Sequence, residues 1–242
     1  MMRKLLWGII VLMGLLFSCS PGDQEVAVFS MTYDFTAKEL TASNQGWLGD
    51  FADYPEGDSI EYELLFKHDT IPSGTSVKST KYGLLISGNN QSDDLFMFIK
   101  TKVTGLRPNA TYEILFNVKV ASDAPTGAVG IGGAPGENVY LKVGASVIEP
   151  RKELQDGMYR MNIDKGNQAE QGADMMNIGH VGVSATTTKF TVITRNNDSS
   201  NSFILTTDPS GEFWLIVGTD SGFEGKTALY YTQIDVLLNE LD

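Results

Sequence analysis

The chain has 242 residues, 42% hydrophobic and 20% charged, with 30 acidic residues against 18 basic ones and a formal net charge of −12. So large an acidic excess excludes nucleic acid and anionic lipid headgroups as partners held by bulk electrostatics. A single cysteine excludes an intramolecular disulfide, so stability must come from a hydrophobic core.

The N-terminus reads as an address. Met1-Met2-Arg3-Lys4 is basic, residues 5–17 are apolar and uncharged, and Leu16-Phe17-Ser18-Cys19 closes the run. That order is a secretory signal peptide. The apolar run falls short of the ~20 residues that cross a bilayer, and Ser20-Pro21-Gly22-Asp23 follows it with turn chemistry. Leu16-Phe17-Ser18-Cys19 resembles the lipobox of bacterial lipoproteins. The resemblance implies cleavage before Cys19, lipidation of Cys19 and attachment to a membrane by the N-terminus, which more than one acyl chain makes stable. Asp23 and Glu25 resemble the acidic tethers of lipoproteins displayed on the cell surface. The expected location is therefore the cell envelope, on the outer membrane and exposed at the surface. The expected division is a leader over 1–18, lipidated Cys19 and a tether over 19–30, and one domain over 31–242. Loss of Arg3 and Lys4 with the leader takes the net charge to −14, which suits divalent cations.

Beyond the tether, hydrophobicity alternates with a period of two. Over 60–67 the apolar face is Ile60, Tyr62, Leu64 and Phe66; over 112–120 it is Tyr112, Ile114, Phe116, Val118 and Val120. Each is the pattern of a half-buried strand with one wet face. Further strands are predicted over 82–87, 95–103, 128–132, 139–147, 160–163, 189–194, 203–207, 213–218 and 229–238. Arg107-Pro108-Asn109, Asp208-Pro209-Ser210-Gly211 and Asp220-Ser221-Gly222 separate them as turns. A short helical stretch is expected over 150–155. Many short alternating strands between Gly, Asn, Asp and Pro predict an all-β sandwich in a single domain.

Gly105-Leu106-Arg107-Pro108-Asn109-Ala110-Thr111-Tyr112 resembles the turn into a core strand of galactose-binding-like jelly rolls and related carbohydrate-binding modules. The resemblance implies a jelly-roll-like sandwich, a carbohydrate ligand and a structural calcium ion.

Three polar blocks, 87–98, 160–168 and 218–225, resemble blocks of bacterial secreted proteins. They supply Asp93 and Asp94, then Asp164, then Asp220 and Glu224, a set of oxygen ligands of the kind calcium takes. The same residues also suit Asx-turns at hairpin ends. Trp47, Phe51, Asp53 and Tyr54 lie in an irregular stretch, where rings beside carboxylates match the needs of a sugar site. Equally, the rings can cover one end of the sandwich. Gly130-Ile131-Gly132-Gly133 reads as a glycine-rich hairpin, since neither Lys-Ser/Thr nor a helix follows to bind phosphate.

Catalytic sets are hard to assemble. His68 and His180 are the two histidines, neither at metal spacing, and no nucleophile elbow is present. Glycoside hydrolysis needs two carboxylates, which composition alone leaves open. The favoured expectation is non-catalytic carbohydrate binding. The alternatives are a glycan hydrolase or lyase on the same fold, and a structural or adhesion protein that binds another protein.

Overall fold

The structure, a computed structural model, describes residues 27–40, 43–72, 82–184, 186 and 189–241. The leader, Cys19 and most of the expected tether lie outside the described residues.

In chain order the strands are β1 (Val28–Asp34), β2 (Leu48–Ala52), β3 (Tyr54–Pro55), β4 (Leu65–Thr70), β5 (Tyr82–Asn90), β6 (Leu95–Val103), β7 (Thr111–Ser122), β8 (Val139–Ser146), β9 (Lys152–Gln155), β10 (Met158–Met161), β11 (Met175–His180), β12 (Thr191–Asn196), β13 (Phe203–Thr206), β14 (Phe213–Ser221) and β15 (Gly225–Leu241). The first sheet runs β12-β7-β15-β5-β4; β1 also pairs with β15, and β13 with β7. The second runs β11-β8-β14-β6-β2, and a small third sheet runs β3-β10-β9. All pairings between these strands are antiparallel.

Alternation decides how the two large sheets meet. Tyr112, Ile114, Phe116, Val118 and Val120 of β7 share one core with Leu229, Tyr231, Ile234, Val236 and Leu238 of β15. Opposite them stand Leu95, Met97 and Ile99 of β6, Val139, Leu141 and Val143 of β8, and Phe213, Leu215 and Val217 of β14. Each such side chain gains about 1.5–3 kcal/mol on burial, so the inward rows fix the register of both sheets. The chain is an all-β, jelly-roll-like sandwich; the alternation predicted the all-β sandwich, and the Gly105–Tyr112 resemblance implied the jelly-roll-like form. In β15 the pairing shifts between Tyr231 and Gln233, leaving Thr232 as a bulge that changes the parity of the inward positions.

Three predicted elements differ. Over 60–67 the strand starts late, at Leu65. Tyr62 N–H donates to Asp58 O and Glu63 N–H to Ile60 O, coiling the chain and leaving Ile60 85% exposed. The expected strand over 128–132 is an irregular loop with one bridge, Ile131 to Glu224, and left-handed glycines at 127, 132 and 133. The stretch expected as helix over 150–155 is β9, because hairpin pairing with β10 around Asp156-Gly157, both at positive φ, satisfies its backbone. Pairing also begins earlier than the expected tether boundary, since Val28 already faces Asn239.

Candidate ligand-binding face

The aromatic set proposed for sugar is core instead. Trp47 is fully buried, edge-on to Tyr33 at 5.3 Å and to Phe35 at 6.4 Å. Phe51 and Tyr54 are buried too; Tyr54 lies against Tyr62 and Tyr159, with centroids 5.7 and 5.0 Å away. Asp53 sits between β2 and β3 at φ 62, buried, with its carboxylate turned to Arg160 and Lys165. Rings of this size gain more from the core than from water, so no sugar platform forms there.

Four of the acidic candidates take other roles. Asp220 Oδ2 accepts from Lys165 Nζ at 2.7 Å, Lys142 Nζ at 3.3 Å and Gln168 N–H at 2.9 Å. Arg160 Nη1 bridges Asp53 Oδ1 at 3.1 Å and Asp94 Oδ2 at 3.0 Å, and Lys165 Nζ lies 3.1 Å from Asp53 Oδ2. Burial pushes the Asp94 carboxyl above its ordinary range, with the Asp53 charge adding to it. Burial pulls the Lys165 ammonium down, but Asp220 and Asp53 outweigh this and hold it above its usual value. Asp164 uses both carboxylate oxygens on backbone N–H groups, of Gly166 and Ala173. Asp93 is exposed at φ 60 and contributes its carbonyl to Gln168, while Glu224 is held by its backbone to Ile131. The expected cage of Asp93, Asp94, Asp164, Asp220 and Glu224 is therefore not assembled. Among the described residues no three His, Cys, Asp or Glu side chains converge as metal ligands, and basic side chains stand where calcium was expected. A polar cleft of about 240 Å³ opens beside Asp94, Arg160 and Asp164. The cluster pins residues 149–174 over the second sheet, where Met161, Ile163 and Met175 cover Ala52, Phe96, Phe98 and Ile216. That part of the outer face is covered.

The outer face of the first sheet is open over half its length. Register lines its side chains into rows across four strands. Asn196, Asn117, Asp235 and Thr32 form one row, from β12, β7, β15 and β1. The next is Leu115, Leu237 and Ser30, and beyond it come Ile204, Glu113, Asn239 and Val28. On the other side lie Thr194, Lys119, Gln233 and Asp34. A half-exposed aliphatic strip thus runs between polar rows.

The polar groups are fixed by one another. Asp235 Oδ2 accepts from Asn117 Nδ2 at 3.0 Å, Asp235 Oδ1 from Thr32 Oγ1 at 2.9 Å, and both oxygens from Gln233 Nε2 at 2.8 Å. Lys119 Nζ donates to Gln233 Oε1 at 3.2 Å and Asn239 Nδ2 to Glu113 Oε2 at 2.8 Å. Burial raises the Asp235 carboxyl, but the bonds from Gln233, Asn117 and Thr32 outweigh it, so Asp235 stays ionised below the usual carboxylate range.

A break in the sheet edge deepens this face into a groove. β12 leaves β7 at Asn196 opposite Asn117, and β13 joins at Phe203 opposite Ile114. In the gap, Asn197 replaces a strand: its Oδ1 accepts Phe116 N–H at 2.6 Å and its Nδ2 donates to Ile114 O at 3.0 Å. The groove holds about 230 Å³ between Ser30, Leu115, Asn117, Asn196, Asp235 and Leu237, with Asn197 at its base. Farther along the sheet, Ile71, Leu85, Ala121 and Tyr230 are buried under Phe190 and Val192 and form a wall.

Sequence reading missed this face. Its polar residues appeared only as the wet positions of separate strands, and register alone brings Asn117, Asp235 and Thr32 together.

No family model and no curated protein matches the sequence. Among solved structures, the chain is similar to TmCBM61 in complex with β-1,4-galactotriose, at 7% identity and a TM-score of 0.40, over 84% of this chain and 93% of that one. It is similar to TmCBM27, a carbohydrate-binding module described for specific mannan recognition, at 11% identity and a TM-score of 0.38, over 87% and 97%. The K1 adhesin domain of Lys-gingipain from Porphyromonas gingivalis is also similar, at 11% identity and a TM-score of 0.38, over 86% and 96%. At identities this low, chemistry must be read from the groove itself.

Proposed function

We propose that this chain is a carbohydrate-binding protein whose ligand lies across β12, β7, β15 and β1 in the groove of the first sheet. The observation that carries this reading is the aliphatic pair Leu115 and Leu237 set between two polar rows, Asn196-Asn117-Asp235-Thr32 and Glu113-Asn239. A sugar ring has apolar C–H faces and an equatorial rim of hydroxyls that both donate and accept. Aliphatic floor and amide or carboxylate rims meet both needs, and amides held by neighbours lose little freedom on binding. The ligand is a neutral glycan, because Asp235 and the acidic chain repel a polyanion. Binding takes place without turnover in this reading: the two rim carboxylates already accept from neighbouring amides, Asp235 from Asn117 and Gln233, and Glu113 from Asn239.

The protein is held at the cell envelope by lipid on Cys19, a reading supported by the Leu16-Phe17-Ser18-Cys19 motif. Full-length protein is expected in the detergent phase on phase partition and the Cys19→Ser variant in the aqueous phase; equal partition would overturn the anchor.

Affinity electrophoresis through gels containing neutral or acidic polysaccharides tests the ligand class. Retardation by at least one neutral polysaccharide, lost in Asn117→Ala with the circular dichroism spectrum unchanged, is the expected result. No retardation in any gel, or retardation that N117A leaves intact, would sink the reading.

A further inference from the structure

The covered part of the second sheet's outer face contains a cation cage that the groove does not use. Loop 164–174 folds back on itself: Asp164 accepts Gly166 N–H at 3.0 Å and Ala173 N–H at 2.9 Å, and Asp174 accepts Asp164 N–H at 2.8 Å. A Cβ at Gly166 or at Gly172 would stand 2.3 Å from the backbone oxygen of Glu170 or of Asp164, so the crossing requires both glycines. Closure brings the carbonyl oxygens of Lys165 and Glu170 onto the same point that Asp220 Oδ2 meets, the Lys142 ammonium. Backbone carbonyls plus a carboxylate form the donor set of hard cations. The cation present is Lys142 Nζ, 2.6 Å from Lys165 O, 2.7 Å from Glu170 O and 3.3 Å from Asp220 Oδ2. Its side chain is completely buried. Asp220 Oδ1 is buried as well, with no hydrogen-bond donor among the described residues.

We propose that Lys142 is a tethered cation, whose ammonium fills a site that loop 164–174 and Asp220 build for a monovalent ion, and that potassium or ammonium enters this site when the side chain is shortened. The charge and setting of the present occupant select the monovalent class. Lys142 places one positive charge on these oxygens, beside the Lys165 ammonium that shares Asp220 Oδ2. A divalent ion would set a doubled charge against Lys165. Ammonium and potassium ions are also close in size, so the oxygens need not move. The tether makes the order of these Asp-rich loops independent of free metal.

The test compares thermal unfolding of Lys142→Ala in potassium, ammonium and choline chlorides at equal ionic strength, since choline is too large to enter. Lys142→Met is the control, because it fills the space without a charge. K142A is expected to melt below wild type in choline chloride and to gain about 4 °C or more in the other two salts. Wild type and K142M are expected to melt alike in all three. Equal melting of K142A in the three salts would overturn the proposal. Should K142A not fold in choline chloride, recovery of the native near-UV spectrum in potassium or ammonium chloride alone is expected, and recovery in no salt also overturns it.

Discussion

Asn117 Nδ2 donates to Asp235 Oδ2 across the β7–β15 pair at 3.0 Å, in the middle of the open sheet face. The pair ties the groove's central carboxylate to its central amide, and Thr32 and Gln233 complete the shell around it.

Asp235→Ala removes an acceptor that three side chains share. Ligand affinity is expected to fall at least ~10-fold, the order for losing a hydrogen bond to a charged group. Calorimetric titration with the retarding glycan measures it.

The same carboxylate sets a pH dependence. Its folded pKa lies below the unfolded value. The stability it contributes is therefore fully present above the unfolded carboxylate range, about pH 3.9, and is lost as pH falls through the lower folded value. Binding is expected to be flat from neutral pH to about pH 5 and to weaken below about pH 4. A titration series across that range checks the sign; weakening that sets in near neutrality would contradict it.

Asn197→Ala opens the edge of β7. Phe116 N–H and Ile114 O both lose a buried partner, at a cost of about 1–3 kcal/mol. Chemical denaturation reads the loss, and hydrogen exchange at the Phe116 amide is expected to accelerate.

Asp220→Asn leaves Lys142 and Lys165 without their shared charge in a buried site. The expected loss is about 3–5 kcal/mol, the range for breaking a buried ion pair from one side. Wild-type protein, in which the Asp220 carboxylate is met by the Lys142 and Lys165 ammonium groups, is expected to melt at one temperature in calcium and in excess chelator.

Trp47→Phe separates core from site. The variant is expected to unfold at lower temperature, since Trp47 fills the space against Tyr33 and Phe35, yet to bind the glycan as wild type does. Weakened binding by a fully folded W47F would return Trp47 to the site.

The fold was largely legible in the sequence because period-two alternation reports burial directly. The alternating positions of β7 from Tyr112 to Val120 all face the core. The site was less legible. Trp47 and Tyr54 carry the residue types of a sugar platform, but their stretch packs inward, with Asp53 buried between β2 and β3. Asp94 and Asp220 read as oxygen ligands because their partners, Arg160 and Lys142, belong to other strands and are remote in sequence. Asn117 and Asp235 are 118 positions apart. Nothing local marks them as a pair; only the register of β7 on β15 does so.

Amide chemical-shift mapping with the retarding neutral oligosaccharide tests the groove assignment most directly. The expected result is saturable shifts at Leu115, Asn117, Asn196, Asp235 and Leu237, with Trp47 and Arg160 unmoved. Shifts centred on Asp94 and Arg160, or none at saturating ligand, would contradict it.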